Sequence, residues 1–474
     1  MSDFDLVVIG GGPAGANAAL EACRRGLRCL LVDEAPAAGG QVWQGTPEGF
    51  VRRKADADAK AGDRLRVELT VSDVTTAFDH RVWLITERFR IDALGPEGPV
   101  TWRTPAIVAA TGATERVIPF PGWTEPGVIG LAGATILLKA QQVLPGGRAL
   151  VGGCGPLLAA VAAGVLKAGG EVAAVVDLAD RREWLAALPD MLARPDQLAR
   201  GLGWLARLRR RGVPIRHRHA VRRVARGDGR LTVAIAPVDA TGRFVAGAGE
   251  RVLEVDWVAV GHGLVPGTEI TRLLGAEHRY DPGLGGWVAA CDDAGRTSIP
   301  GLLVAGDGGG IRGVTAAVER GRLAGLAAAH GQDRLDRDGF EREAATIRRR
   351  LRRAERFGQA SARLMALRPG QVLSIPEETV VCRCEDVTRA EIGAAIAAGA
   401  VEVNQLKAWT RCGMGPCQGR MCGEVAASLL AAVRGSREAA GFWTGRAPLR
   451  PVPLDDLLGE YDYADIPLPQ AAPL

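Results

Sequence analysis

The first 33 residues contain two short apolar runs separated by a longer mixed segment. LVVI at 6–9 and CLLV at 29–32 each place four apolar residues in a row. Short apolar runs bounded by turn signals are typical of strands buried on both faces of a parallel sheet. The intervening segment ANAALEACRRG predicts a helix. The order strand, helix, strand indicates an α/β unit.

A glycine-rich turn joins the first strand to this helix and has the pattern Gly10-x-Gly12-x-x-Gly15. Gly10 permits the tight turn, Gly12 lets the backbone approach a pyrophosphate, and Gly15 lets the helix pack on the strand. Asp33 ends the second strand at the spacing of a ribose-binding acid, and Glu34 is an adjacent alternative. These features predict a dinucleotide site whose turn comprises Gly10, Gly12, Pro13, Ala14 and Gly15.

A second strand–turn–helix–strand pattern spans residues 148–177. Its turn reads Gly153-x-Gly155-Pro-Leu-Leu158, so leucine stands where the third glycine belongs. A leucine there would separate helix from strand or fill space near a pyrophosphate. We expect a Rossmann architecture that binds NAD(P)H poorly. The alternatives are a working nicotinamide site, a structural domain, or a site for another nucleotide such as ATP. Helices inserted in this domain are predicted over 181–212.

Length and composition limit the class of protein. A chain of 474 residues is expected to form two to four domains, and 47% hydrophobic with 24% charged residues is typical of globular proteins. A net charge of +5 gives no reason to expect nucleic acid as a partner. Neither a secretory signal nor an apolar span of about 18 residues is visible, so no transmembrane segment is predicted. We expect a cytoplasmic protein.

Five of the nine cysteines fall within residues 382–422. Disulfides are disfavoured in a reducing compartment, so the cluster predicts metal or redox chemistry. Four thiolates could hold the two irons of a [2Fe–2S] cluster, or a structural zinc ion in a tetrahedral site. We favour iron–sulfur over zinc and over free thiols. The cysteines concerned are Cys382, Cys384, Cys412, Cys417 and Cys422.

Three further segments resemble the two-dinucleotide flavoproteins, the superfamily of thioredoxin reductase and glutathione reductase. They are GGQVW at 39–43, AIVAATGATERVIPFPGW at 106–123, and TSIPGLLVAGDGGGIRGVTAAVERGRLAG at 297–325. The resemblance implies FAD at the first site, with Asp307 on the flavin ribityl chain and the following helix directed at the isoalloxazine. The cofactor-binding residues implied here are Gly40, Gln41, Thr111, Gly112, Gly306, Asp307, Thr315 and Ala316.

The cysteine cluster resembles the bacterioferritin-associated-ferredoxin-like domain, which holds a [2Fe–2S] cluster by Cys-x-Cys and two later, closely spaced cysteines. The resemblance implies Cys382, Cys384, Cys417 and Cys422 as ligands. The last pair is Cys-x4-Cys here instead of Cys-x-x-Cys, so Cys412 is the alternative fourth ligand.

The order of these segments, with VCRCEDVT, GMGPCQGRMC and VGHGLVP, is similar to the alpha (A) subunits of heteromeric bacterial amine and imino-acid dehydrogenases and oxidases. That group includes opine oxidase, D-hydroxyproline or proline dehydrogenase, and hydrogen cyanide synthase. The resemblance covers about residues 3–435. It implies an electron-transfer subunit with FAD and [2Fe–2S], for which no catalytic acid or base is assigned.

The resemblance also implies partners. A flavoprotein beta subunit resembling D-amino-acid or sarcosine oxidases would oxidise the C–N bond of an opine, D-hydroxyproline, proline or glycine. A small ferredoxin-like gamma subunit would pass the electrons on, and any contact with the inner membrane would run through partners. Two alternatives stay open: a self-contained NAD(P)H:acceptor flavin reductase, and a nucleotide-binding scaffold with a zinc knuckle.

The predicted fold is an α/β flavoprotein of the glutathione/thioredoxin reductase type, with a Rossmann domain inserted in an FAD domain and a small C-terminal helical [2Fe–2S] domain. The expected FAD domain comprises 1–122 and 285–335, separated by the second Rossmann domain at 123–284. A helical linker (336–375), the [2Fe–2S] domain (376–435) and an extended proline-rich tail (436–474) follow.

Overall fold

The computed structural model describes residues 3–46, 49 and 56–457. Its strands are β1 Leu6–Ile9, β2 Cys29–Val32, β3 Thr75–Ala77, β4 Arg81–Ile85, β5 Arg90–Gly95, β6 Gly98–Arg103, β7 Ile107–Ala109, β8 Ala113–Glu115, β9 Val128–Gly130, β10 Arg148–Gly153, β11 Glu171–Asp177, β12 Ile215–His217, β13 His219–Arg226, β14 Leu231–Pro237, β15 Arg251–Val255, β16 Trp257–Gly261, β17 Leu264–Pro266, β18 His278–Asp281, β19 Gly286–Ala289, β20 Leu302–Val304, β21 Val380–Cys382 and β22 Val387–Thr388. Its α-helices are α1 Pro13–Cys23, α2 Ala57–Thr70, α3 Leu131–Lys139, α4 Leu157–Lys167, α5 Arg181–Met191, α6 Pro195–Arg210, α7 Glu269–Leu273, α8 Val314–His330, α9 Arg337–Leu364, α10 Pro369–Leu373, α11 Arg389–Ala397, α12 Val403–Thr410, α13 Gly423–Arg434 and α14 Arg437–Ala440.

The first sheet is parallel and has the strand order β20-β7-β1-β2-β3. Its central strand β1 is fully buried, with Leu6 opposite Cys29 on one side and Val7 opposite Ile107 on the other. The edge strand β20 comes from a segment almost 200 residues further along the chain. This sheet confirms an FAD-type domain built from two separate parts of the sequence.

Helices α1 and α8 cover one face of this sheet and pack closely against each other. Glycine makes the approach possible, because a Cβ at Gly321 would lie 2.0 Å from the Ala14 carbonyl oxygen. A Cβ at Gly325 would lie 2.3 Å from the carbonyl oxygen of Ala18. The helix that opens the predicted dinucleotide site is therefore fixed by backbone contacts with a helix from the second part of the domain.

The second sheet is also parallel, in the order β12-β11-β10-β16-β9, and forms the expected Rossmann domain. The helices predicted over 181–212 are α5 and α6. After β16 the chain returns to the first domain, where β17 pairs antiparallel with β8. This return at residue 264 precedes the expected boundary at residue 284, which falls instead between the paired strands β18 and β19. An apolar run ends at β16, so the boundary follows from strand pairing that local pattern does not reveal.

Helix α9 is more than the linker expected over 336–375. Its apolar side chains, including Phe340, Ile347 and Leu351, belong to the same buried cluster as Leu6 and Val8 of the first sheet. The helix is therefore part of the core of the FAD domain. Its polar face carries most of the basic run at 347–356.

The C-terminal domain consists of the β21–β22 hairpin and helices α11 to α13 around a core that includes Val381, Ile392 and Leu406. Residues 442–450, expected to be extended, turn back and contact the FAD domain of the same chain. Leu449 donates its backbone N–H to the Trp83 carbonyl oxygen at 2.7 Å. The rest of the predicted tail, 458–474, lies outside the described residues. No helix in the described part of the chain is long and apolar enough to cross a bilayer.

Candidate functional site

The first glycine turn has room for no side chain at two of its three glycines. Gly10 has φ of +109°, and a Cβ there would lie 2.3 Å from the Ala110 carbonyl oxygen. A Cβ at Gly15 would lie 1.8 Å from the Gly10 carbonyl oxygen. Helix α1 begins immediately after Gly12, with Pro13 at its first turn. The unpaired N–H groups of α1 therefore face the turn, which is the arrangement that binds a pyrophosphate.

Asp33 lies against this turn, whereas Glu34 does not. The Asp33 carboxylate accepts hydrogen bonds from the backbone N–H of Gly11 and, at 2.7 Å, from that of Ala35. Burial raises the pKa of Asp33, and these two N–H donors oppose the rise. The Glu34 side chain is 54% exposed and pairs with Arg450 at 3.4 Å. Asp33 is thus the acid placed to bind a ribose, and Glu34 lies at the rim.

The second part of the FAD domain brings Asp307 to the same site. Gly306 has φ of +71°, and a Cβ there would lie 2.7 Å from the Ala14 Cβ. Asp307 accepts a hydrogen bond from the backbone N–H of Arg312 at 3.2 Å. Burial raises the pKa of Asp307. Helix α8 begins a few residues later, so a second helix N-terminus opens beside Asp307.

One cleft of about 2020 Å³ runs past both turns and on to the second Rossmann domain. Most of the predicted cofactor residues line it, and three lie behind its wall. Gly15 and Gly306 are there because they permit close packing, and Ala316 because it is buried inside α8. The residues that line the cleft are Gly10, Gly12, Pro13, Ala14, Asp33, Glu34, Gly40, Gln41, Thr111, Gly112, Asp307 and Thr315.

These features fit FAD. Two helix N-termini can hold phosphate and flavin, an acid is fixed at the ribose position, and glycine backbone forms the surface between them. Gly40 adds to this surface, because with φ of +53° it brings a Cβ position within 2.9 Å of the Gly12 Cα.

The second Rossmann turn is filled by the protein itself. Its strand-end acid, Asp177, is buried and accepts hydrogen bonds from the Trp184 indole at 2.7 Å and the Ala179 N–H at 3.0 Å. A Cβ at Gly155 would lie 2.4 Å from the Met365 Cγ, so that side chain occupies the approach to the turn. Leu158 is 3% exposed and packs in the domain core. The roles of Asp177, Trp184 and Met365 were not predicted from the sequence.

The five clustered cysteines lie together. The sulfurs of Cys382, Cys412 and Cys422 are within 4.8 Å of one another and buried. Cys384 and Cys417 form a second, half-buried pair joined by hydrogen bonds. A hydrogen bond to Cys422, together with burial, raises the pKa of Cys382. The structure thus brings together all four predicted ligands and the alternative, Cys412.

Glycine and tryptophan form the surroundings of these thiols. A Cβ at Gly415 would lie 2.2 Å from the Cys384 Cβ, so only glycine fits there. The Trp443 indole covers the loop, since Cβ atoms at Gly419 and Gly423 would lie 2.7 and 2.4 Å from its Nε1. Soft thiolates converging in a largely dry site with close backbone fit a [2Fe–2S] cluster.

Sequence reasoning missed Glu115, which lines the cleft where the two domains meet. Burial raises the pKa of Glu115 to about 7, and N–H donors at the start of α3, including Ala132 at 3.0 Å, oppose the rise. The neighbouring Arg116 is buried and donates to the carbonyl oxygens of His262, Met365, Leu264 and Gly285. Glu115 and Arg116 stand within the segment 106–123, but only the contacts distinguish them from ordinary charged residues.

Two family models match the chain. Residues 4–321 match the pyridine nucleotide-disulphide oxidoreductase family, and residues 380–432 match the BFD-like [2Fe-2S] binding domain. The chain therefore belongs to the pyridine nucleotide-disulphide oxidoreductases and carries a BFD-like [2Fe–2S] domain. The predicted fold class and both cofactors, FAD and [2Fe–2S], are confirmed.

Similar proteins are known over almost the whole length. The first of two opine oxidase subunits to be compared, the A chain from Rhizobium meliloti, is 36% identical, over 96% of this chain and 99% of that protein. The HcnB component of hydrogen cyanide synthase from Pseudomonas aeruginosa is 34% identical, over 94% of this chain and 97% of that protein. The solved L-proline dehydrogenase of P. horikoshii shares the fold, with a TM-score of 0.68 at 20% identity, over 96% of this chain and 79% of that one. The predicted resemblance to opine oxidase and hydrogen cyanide synthase subunits is confirmed.

Proposed function

We propose that this chain is the electron-transfer subunit of a heteromeric oxidoreductase that acts on CH–NH donors. A partner flavoprotein beta subunit would oxidise the C–N bond of an opine, D-hydroxyproline, proline or glycine. A small ferredoxin-like gamma subunit would receive electrons in turn. The observation that carries the proposal is that one polypeptide holds both a flavin cleft and a converging set of five thiols, with contacts that join them.

Three further observations support this proposal. Relatives that match almost the whole chain are named as subunits of opine oxidase and hydrogen cyanide synthase. The described cysteines outside the cluster form no Cys-x-x-Cys pair, the arrangement that a flavin disulfide reductase uses. The second Rossmann turn, filled by Met365 and with Asp177 already bonded, is unsuited to a nicotinamide dinucleotide.

The residues of this chain would hold and orient the cofactors. When bound, FAD accepts electrons in pairs and the cluster passes them singly. The N–H groups at the start of α1 would hold the pyrophosphate, and Asp33 the ribose. Asp307 would bind the ribityl chain, as the superfamily resemblance implies. Cys382, Cys384, Cys417 and Cys422 would hold the irons, and Trp443 keeps water from the loop that carries them.

The test is to reduce the purified holoprotein in two ways under anaerobic conditions. NADH or NADPH alone should leave the flavin absorbance unchanged over minutes. Adding the co-expressed beta subunit with an opine or D-hydroxyproline should bleach the flavin and then the cluster. Flavin and iron quantitation on the same sample checks that both cofactors are present.

Rapid bleaching by NADPH without a partner would instead support a self-contained NAD(P)H:acceptor reductase. Zinc in place of iron would overturn the electron-transfer role and favour the scaffold alternative.

A further inference from the structure

The loop between Cys417 and Cys422 is tied to the wall of the flavin cleft by one arginine. Arg420 donates from Nε to the Glu269 carboxylate at 2.8 Å. Its side chain is 19% exposed and that of Glu269 is 30% exposed, so the pair is largely shielded from water. Glu269 is the first residue of α7 and lines the cleft. The ion pair therefore joins the cysteine loop directly to the flavin domain.

The same guanidinium also holds the loop itself and the C-terminal segment. Its Nη1 donates to the Cys417 carbonyl oxygen at 3.2 Å and to the Gln418 side chain at 3.0 Å. Its Nη2 donates to the Leu449 carbonyl oxygen at 3.0 Å. Arginine suits this position because its planar fork presents several donors in fixed directions. Four acceptors from three parts of the chain thus meet at one side chain.

A continuous set of contacts runs from Glu269 back to the predicted flavin-binding turn. Gly267, two residues before Glu269, accepts a hydrogen bond from the Thr111 hydroxyl at 2.6 Å. Its backbone N–H donates to the Gly112 carbonyl oxygen at 2.9 Å. Thr111 and Gly112 both line the cleft. The path from the flavin turn to the cysteine loop therefore contains only hydrogen bonds and one short helix start.

We propose that Arg420 is the positioning residue that sets the cysteine loop relative to the flavin cleft, with Glu269 as its anchor on the flavin side. This inference rests on the proposed electron-transfer function and adds the residues on which the internal step depends. The rate of electron transfer depends on the separation and orientation of the two centres, and Arg420 fixes both without contacting either cofactor. Losing the fork frees the loop and the Leu449 segment together.

The test compares R420M and E269Q with R389M in the holoprotein. R389M is a matched control, because Arg389 pairs with Glu377 at 3.4 Å entirely within the C-terminal domain. The first readout is hydrogen exchange of peptides covering 411–423 and 447–450. The second is the rate constant of flavin-to-cluster electron transfer after laser-flash photoreduction of the flavin. Flavin content, iron content and the unfolding midpoint are measured on every sample.

We expect faster exchange in both peptides and about a tenfold slower electron-transfer rate for R420M and E269Q, at unchanged cofactor content. R420K keeps the charge but not the fork, and should give an intermediate rate. R389M should match the wild type in both readouts. If R420M loses iron, E269Q decides, because Glu269 lies in the flavin domain and contacts no cysteine.

Unchanged exchange and rate in E269Q and R420M would overturn the inference while leaving the proposed function intact. Absence of flavin-to-cluster transfer in the wild-type holoprotein would instead overturn the proposed function itself. The two failures are thus separate results of the same measurements.

Discussion

The clustered cysteines differ in their surroundings, and this difference bears on which of them bind iron. Cys412 is fully buried beside Cys382 and Cys422, whereas Cys384 and Cys417 are half-buried and bonded to each other. Three sulfurs on one side cannot supply two irons with two ligands each. The half-buried pair is needed to complete the set, and Cys412 is then the thiol left over.

Substituting the cysteines one at a time by serine tests this assignment. C382S, C384S, C417S and C422S should each lose most of the iron and the visible absorbance of the cluster. C412S should retain both, as should C291S, a control at an exposed cysteine elsewhere. Iron analysis and low-temperature paramagnetic resonance of the dithionite-reduced proteins give the answer. Iron loss in C412S with full retention in C417S would make Cys412 the fourth ligand.

Glu115 makes the stability of the protein depend on pH in a defined direction. Its pKa is about 7 in the folded protein and 4.5 in the unfolded chain. Between these values the folded state binds more protons, so stability falls as pH rises and the loss is complete above pH 7. E115Q removes this loss, which amounts to about 3 kcal/mol at 1.36 kcal/mol per pKa unit.

Urea unfolding of the holoprotein at pH 5 and pH 8 measures the effect. E115Q should gain free energy of unfolding over the wild type at pH 8 and much less at pH 5. E277Q, at an exposed glutamate, should show no such difference between the two pH values. Equal gains at both pH values would mean that the carboxylate is not titrating in this range.

At the scale of elements, the contact between α1 and α8 depends on glycine. G325A places a methyl group against the Ala18 carbonyl oxygen and should force the helices apart, at a cost of about 1–3 kcal/mol. Since α1 and α8 both begin at the flavin cleft, FAD affinity should fall as well. G203A is the matched control, because a Cβ there meets nothing within 4 Å. It should stabilise α6 by about 0.5–1 kcal/mol. Thermal unfolding and flavin titration of both variants distinguish a packing defect from a general effect of glycine replacement.

Local pattern predicted those elements whose chemistry is local. The Gly10–Gly15 turn and Asp33 belong to one strand–helix–strand unit, so their spacing alone carried the information. The second Rossmann turn has the same local pattern at Asp177, yet a tryptophan from an inserted helix takes up its carboxylate. No rule of spacing reveals whether a strand-end acid faces a ribose or an indole.

At the scale of the whole molecule, the unpredicted features are contacts between distant segments. Met365 reaches Gly155, Arg450 reaches Glu34, and Arg420 reaches Glu269. Each joins residues more than 150 positions apart. The sequence shows that a flavin domain and a thiol cluster are both present, and only the folded chain shows how one is held to the other.

The origin of β20 in residues 302–304 has a consequence for biosynthesis. As the nascent chain leaves the ribosome, the first strands of the FAD sheet emerge long before β20 and α8. Until then β7 has an open hydrogen-bonding edge and α1 lacks the helix that covers its alanine face. Flavin uptake is therefore a late event in synthesis, and a chain that stalls within the second domain presents a strand edge prone to aggregation and in need of a chaperone.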